Sequence, residues 1–297
     1  MFPDPIFLNV HWYGVMIAIG LLCCFGFIFI SFKKKKIEDR FTDFVFYNGV
    51  IAIAIGFVSA AIFQSFYDGT TGKMFEAFFK FIQNPQAGFN FNLRITFIGG
   101  LIGGAGCFLL IYLLFRKKYK NKLIDVLSII PCAILVAHGF GRVGCFCAGC
   151  CHGMKTDSIW GVKFPNLPDP VYPTQLYEAI FLFILFGVCT FLLFKYDFKH
   201  NLSVYLIGYG IFRFLNEFLR GDNRGDLVQG ISPSQFWSIL MVVLGVGLVF
   251  LMNWLLKRRN AQLLLEQNEE SSSQDSETPE SVVEDETSQE MKKEDNE

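Results

Sequence analysis

Apolar residues along this chain gather into runs of roughly 20, the length an α-helix needs to cross the hydrocarbon of a bilayer. Seven runs are legible, at residues 13–32, 44–66, 97–115, 123–143, 176–194, 202–218 and 236–256. The pattern predicts an all-α polytopic membrane protein with about seven transmembrane helices. The fourth and sixth runs are the least apolar. The fourth holds Asp125, Pro131 and His138, and the sixth holds Arg213, Asn216 and Glu217. Ionisable groups are costly beside lipid, so these two helices are expected to turn their polar faces into the bundle. Between the second and third runs, residues 72–94 place Phe75, Phe78, Phe79 and Ile82 at helical spacing over too short a stretch to span. An interfacial arm, a helix lying in the headgroup region, is one reading; a loop packed on the bundle is the other.

Charge then orients the runs. Lys33, Lys34, Lys35, Lys36 and Arg40 follow the first run, and Arg116, Lys117, Lys118, Lys120 and Lys122 follow the third. Lys195 and Lys199 follow the fifth, and Lys257, Arg258 and Arg259 follow the seventh. Seven spans put all four clusters on one side, which the positive-inside rule makes cytoplasmic. The N-terminus is then outside and the C-terminus cytoplasmic. Residues 1–12 lack a basic n-region, so the first run is expected to be a permanent helix rather than a cleaved signal. A hydrophobic content of 52% with 35 Phe excludes an ordinary soluble domain. Residues 266–297 hold 13 acidic side chains against Lys292 and Lys293. Two regions are expected: a membrane domain at 1–260 and an acidic, Ser/Glu-rich disordered cytoplasmic tail at 261–297. Residues 1–265 carry 24 basic and 14 acidic side chains, so the overall charge of −1 hides a basic membrane body suited to anionic lipid.

Candidate chemistry sits at the outward ends. Tyr205, Tyr209, Arg213 and Glu217 recur every four residues and form one helical stripe. Arg142 lies between Gly141 and Gly144, whose missing side chains admit a close neighbour. A guanidinium fork matches phosphate oxygens. Arg142 and Arg213, on two helices of one bundle, are placed to grip a lipid phosphate, with Arg220 and Arg224 enlarging the field. Cys145, Cys147, Cys150 and Cys151 precede His152 in a glycine-rich stretch. Three readings stay open for them: a zinc site of unusual spacing, a redox dithiol, or structural thiols with at most one disulfide, the last being preferred.

Six short motifs occur in order: His11-Trp12-Tyr13-Gly14, Gly99-Gly100-Leu101-Ile102-Gly103, Gly141-Arg142-Val143-Gly144, Tyr172-Pro173-Thr174-Gln175-Leu176-Tyr177-Glu178, Tyr209-Gly210-Ile211-Phe212-Arg213 with Glu217 and Arg220, and Ile231-Ser232-Pro233-Ser234-Gln235. On a seven-span frame, over roughly residues 5–256, this resembles the prolipoprotein diacylglyceryl transferase family. The sequence departs from the family pattern in places. Ile98 stands where a histidine commonly precedes the Gly-Gly-Leu-Ile-Gly run, and Cys145 and Cys150 stand where asparagine and an acidic residue are common. Tyr172 replaces the histidine that commonly opens the fourth motif.

The resemblance implies transfer of diacylglyceryl from phosphatidylglycerol to the lipobox cysteine of a prelipoprotein, forming a thioether and releasing glycerol phosphate. It implies a catalytic set of Arg142, Arg213, Tyr209, Glu217 and Tyr13. His152, His138, Tyr13 and Tyr209 are the candidates for the base. Substrate binding falls to Arg142, Gly141, Gly144, Gln175, Tyr177, Glu178, Arg220 and Gln235. No metal, cofactor or nucleic acid is expected; the partners are phosphatidylglycerol, prelipoprotein signal peptides and the bilayer. The expected location is the bacterial plasma membrane, with the site facing outward. Rival readings are a thiol-redox or metal-binding membrane protein using Cys145–His152, a family member with another lipid or acceptor, and a transporter. The last is disfavoured because no internal hydropathy repeat is visible.

Overall fold

The computed structural model describes residues 11–85, 96–119, 122–221 and 230–275. Among the described residues, eight helices follow one another: α1 (Trp12–Lys34), α2 (Asp39–Tyr67), α3 (Thr71–Gln83), α4 (Phe97–Leu114), α5 (Leu123–Ala148), α6 (Thr174–Lys195), α7 (Asn201–Glu217) and α8 (Pro233–Asp275). The chain is an all-helical multi-pass membrane protein. Five helices, α1, α2, α5, α6 and α8, are long and apolar enough to cross a bilayer. α4 is apolar but shorter, and α7 has 17 residues with Arg213 and Glu217 among them. The seven predicted runs all fall on helices, and these last two meet the spanning criterion least well.

Two helices run past the ends of their predicted runs. The fourth run was expected to end at 143, but α5 continues to Ala148, so Cys145 and Cys147 sit on the helix with Arg142 and not in a glycine-rich loop. The stop comes from Gly149, whose left-handed conformation (φ 69°) ends the helix at no steric cost. The last apolar run ends at 256, whereas α8 runs on to Asp275, because no Gly or Pro interrupts it there. Residues 276–297 of the expected tail lie outside the described residues. The arm forms a helix, α3, with Phe75, Phe78, Phe79 and Ile82 exposed and Lys80 paired with Glu76 at 2.7 Å. Its residues 86–94 lie outside the described set.

The chain divides into two units, Met1–Gly245 and Val246–Glu297. In the second, the Arg258 guanidinium lies 3.8 Å from the centre of the Trp254 ring. In the first, α5 is the central helix, packed on α1, α6 and α7, while α2 pairs with α4. The core around α5 includes Phe32, Ile129, Leu135, Leu182 and Leu193, all essentially buried.

Lys35 ties one end of the bundle together. It donates to the Leu193 carbonyl at 3.1 Å and pairs with Asp197, which Lys199 also reaches at 2.8 Å. Lys199 in turn approaches Asp125 at 3.8 Å. The basic ends of α1 and α6 and the start of α5 therefore meet at one pole. The polar cluster described below is built at the other.

The Gly99–Gly104 run does its work in packing. Gly104 and Gly56 let α2 and α4 approach closely, and Ser59 donates to the Gly99 carbonyl at 2.8 Å. A Cβ at Gly103 would collide with the Ser59 side chain. Small residues of this kind allow membrane helices to associate without a hydrophobic driving force. Gly103→Ala is expected to cost about 1–3 kcal/mol by overpacking, read as a lower unfolding temperature in detergent. An unchanged temperature would show that this seam is loose.

Candidate functional site

Four helices bring their polar side chains to one place. On α5, His138 and Arg142 are one turn apart and share a face. On α6, Gln175, Glu178, Ala179 and Leu182 are buried along one face, and Glu178 points at α5. Arg142 Nε lies 2.9 Å from Glu178 Oε1, and Tyr209 of α7 donates its hydroxyl to the same oxygen at 2.6 Å. His138 Nε2 is 3.8 Å from it, and His138 Nδ1 is 3.3 Å from the Tyr205 hydroxyl. The Glu178 side chain is 1% exposed, so this carboxylate is held entirely by its partners.

One turn further along α7, Arg213 Nη2 pairs with Glu217 Oε2 at 2.9 Å and donates to Ser234 Oγ at 2.8 Å. Ser232 Oγ donates to Glu217 Oε1 at 3.1 Å, and Arg220 Nε is 4.0 Å from Glu217 Oε2. The start of α8 is fixed by a reciprocal cap. The Ser232 N–H donates to Gln235 Oε1 at 3.0 Å, and the Gln235 N–H to Ser232 Oγ at 3.2 Å, with Pro233 at the first helical position. That cap aims both serines at the Arg213–Glu217 pair. Glu178 feels both Arg142 and Arg213 electrostatically, so the two guanidinium groups belong to one end of the bundle.

The segment 149–173 closes over this end. The Gly153 N–H donates to the Tyr172 carbonyl at 2.7 Å, and the Met154 N–H to the Leu219 carbonyl at 2.9 Å. Thr174 Oγ1 donates to the Cys151 carbonyl at 3.0 Å, and Asn216 Nδ2 to the Thr174 carbonyl at 3.3 Å. Phe164, 1% exposed, packs edge-on against Phe146.

Of the residues expected from sequence, Arg142, Glu178, Tyr209, Arg213, Glu217 and Arg220 come together here. Tyr13 of α1 lies against Gly144 and within electrostatic range of Arg142 and Cys145. Gly144 is needed for that crossing, because a Cβ there would sit 3.1 Å from the Tyr13 ring; nothing approaches Gly141 so closely. Gln175 is 1% exposed, and neither of its amide atoms has a hydrogen-bond partner. Tyr177 turns away and donates to the Trp160 carbonyl at 3.1 Å. Gln235 serves the α8 cap. His152 bonds the neighbouring Gly153 carbonyl at 3.0 Å and leans on Phe164. Ile98 has no described side chain, and Arg224 lies outside the described residues.

From sequence Glu178 stands among the substrate-binding residues, whereas the structure makes it the hub; the helical spacing of Gln175, Glu178, Ala179 and Leu182 was the available signal. Beside the hub, Cys145, Cys150 and Cys151 place their sulfurs within 4.8 Å of one another, while Cys147 stays out. Thiol donation from Cys145 and Cys150 holds the Cys151 thiol far below its usual range; burial opposes this, and Arg220 and Arg142 add to it.

Apolar membrane-spanning helices around a buried cluster of paired arginines and carboxylates define a multi-pass membrane protein with a charged site inside its bundle. Comparison with known proteins agrees. Residues 5–251 match the model of the family described as prolipoprotein diacylglyceryl transferase. The chain is 32% identical over 249 residues to a phosphatidylglycerol--prolipoprotein diacylglyceryl transferase of Clostridium tetani, covering 80% of this chain and 92% of that one. It is 33% identical over 251 residues to a Clostridium perfringens protein named as the second such transferase, covering 80% and 90%. A Campylobacter hominis relative of the same name is 31% identical over 250 residues, covering 80% and 85%. This chain belongs to the prolipoprotein diacylglyceryl transferase family and is a transferase.

The hub makes a stability prediction. Arg142→Ala strands the Glu178 charge in the core, which costs about 3–5 kcal/mol for a buried pair broken on one side. Arg142→Ala with Glu178→Ala together should lose clearly less than the sum of the two single losses. Unfolding temperatures in detergent test this, and strictly additive losses would contradict a coupled pair.

Proposed function

We propose that this chain transfers the diacylglyceryl group of phosphatidylglycerol to the lipobox cysteine of prelipoproteins in the bacterial plasma membrane, with its site open to the outer side. One observation carries the reading: Arg142 pairs with Glu178 at 2.9 Å, and Arg213 acts on the same carboxylate electrostatically. Arg142 pairs with Glu178 and Arg213 with Glu217, and each guanidinium keeps further N–H donors with which to meet a phosphodiester headgroup. Among the described residues, Arg213 Nη1, Glu178 Oε2 and the Gln175 amide are buried without hydrogen-bond partners. Buried polar groups of this kind call for a partner, and a glycerol phosphate headgroup offers both donors and acceptors.

The chemistry follows from the same atoms. The prelipoprotein thiol must become a thiolate to attack. It gives its proton to the Tyr209 oxygen as Tyr209 passes its own proton to Glu178, along the 2.6 Å bond already present. Sulfur then attacks the glyceryl carbon that bears the phosphate ester. The carbon–oxygen bond breaks and its electron pair leaves on glycerol phosphate. The growing phosphate charge is met by Arg142 and Arg213, and the proton held on Glu178 passes back through Tyr209 to the departing phosphate. Preorganised charge of this kind contributes most where the charge develops. Tyr13 lines the chamber from α1, and Glu217 positions Arg213 through Ser232 and Ser234.

Arg142→Lys keeps the charge that balances Glu178 but loses the planar fork. It should fold and yet transfer lipid about 10²–10³-fold more slowly. Tyr209→Phe should reduce transfer about 10²–10⁴-fold, as for loss of a proton-transfer group. Rates come from a lipobox peptide and phosphatidylglycerol with purified protein. Complementation of a strain depleted of its own lipoprotein-lipidating enzyme tests the assignment as a whole. Normal rates in folded Arg142→Lys and Tyr209→Phe proteins would remove both residues from the reaction, and failure of the wild-type chain to complement would overturn the function.

A further inference from the structure

The geometry points to a thiophilic metal site at Cys145, Cys150 and Cys151, three sulfur ligands that bind one Zn²⁺ and leave a fourth position for water or a substrate thiol. The site is built by the end of α5. Gly149 N–H bonds the Phe146 carbonyl at 3.1 Å, and Cys150 N–H bonds the Cys145 carbonyl at 3.1 Å. Those two bonds form a Schellman motif, which brings the third residue from the helix end against the second residue beyond it. In most proteins that contact is hydrophobic; in this chain it joins Cys145 to Cys150. Cys151 then adopts a left-handed backbone (φ 64°) that a non-glycine residue rarely takes, and its sulfur returns to the other two. Such strain is kept where a local arrangement is held for use.

The result is three sulfurs within 4.8 Å of one another. Thiolates on a tetrahedral zinc at about 2.3 Å are about 3.8 Å apart, so a small inward adjustment closes the set. Three thiolates on Zn²⁺ carry one net negative charge, and Arg142 and Arg220 both act on Cys151 to offset it. Cys150 is exposed and Cys145 buried, so an ion has a route in and a protected seat. Cys147 lies on the same helix turn and outside the cluster, which makes it an internal control. Three protein ligands with one open position is the pattern of zinc sites that keep a coordination place for chemistry.

The test uses full-length protein in detergent, purified under reductant and then freed of it without air. Zn²⁺ is titrated against a chromophoric chelator, and Co²⁺ is used as a spectroscopic stand-in. The proposal expects about one Zn²⁺ per chain and a thiolate-to-cobalt charge-transfer absorption. Affinity should fall roughly 10–100-fold or more in each of Cys145→Ser, Cys150→Ser and Cys151→Ser, and be unchanged in Cys147→Ser. Unfolding temperatures recorded alongside identify any variant that fails to fold, and the three single variants provide independent readings. Binding no tighter than to Cys147→Ser-insensitive background sites, affinity unaltered by all folded cluster variants, or a disulfide between two of the three in protein taken from its membrane without reductant would each overturn the site. The outcome stands apart from the transfer reaction, since metal is read directly and not through activity.

Discussion

The pole of the bundle opposite Lys35 and Asp197 depends on one buried ion pair. Glu178 is 1% exposed and touches Arg142 at 2.9 Å and Tyr209 at 2.6 Å. A lone carboxylate at that depth would cost several kcal/mol; the arginine and the phenol make it tolerable. In holding them, Glu178 fixes α5, α6 and α7 against one another and sets the facing direction of the guanidinium. The pair is a weak source of net stability, because desolvating two charges consumes most of their attraction. Its value lies in specifying where a charged group stands inside an apolar bundle.

The second pair, Arg213 with Glu217, is assembled differently. It lies along one helix, and the capping box that starts α8 supplies Ser232 and Ser234 to both partners. On the proposed reading, the two pairs flank the place where the headgroup would sit. An anionic headgroup entering there would exchange water for donors already in position, and binding would not require the arginines to be reoriented. Family membership and geometry therefore point to the same chemistry by independent routes.

Much of this was legible beforehand. The apolar runs gave all the long helices, because length and hydropathy alone decide what can cross lipid. The four-residue rhythm of Tyr205, Tyr209, Arg213 and Glu217 gave the α7 stripe, and the Gly141–Gly144 run drew attention to Arg142, which the structure buries against Glu178. Glu178 was harder to rank, since one acidic residue near a helix start is ordinary and only its burial beside Arg142 makes it the hub. The end of α5 was missed because four cysteines and three glycines read as a loop, whereas the helix continues until Gly149 can turn left-handed. The meeting of Cys145, Cys150 and Cys151 depends on that turn and on the φ of Cys151, neither of which composition reveals. Gln235 resembled a ligand contact, although the Ser-Pro-Ser-Gln order was also the signature of a helix cap.

A cryo-EM structure of the full chain in lipid nanodiscs rich in phosphatidylglycerol would decide the central point. The account places the headgroup phosphate within hydrogen-bonding distance of both Arg142 and Arg213, beside Glu178 and Tyr209. A phosphate bound at the Lys35–Asp197 pole, or held by one of those arginines with the other directed away from the lipid, would contradict it.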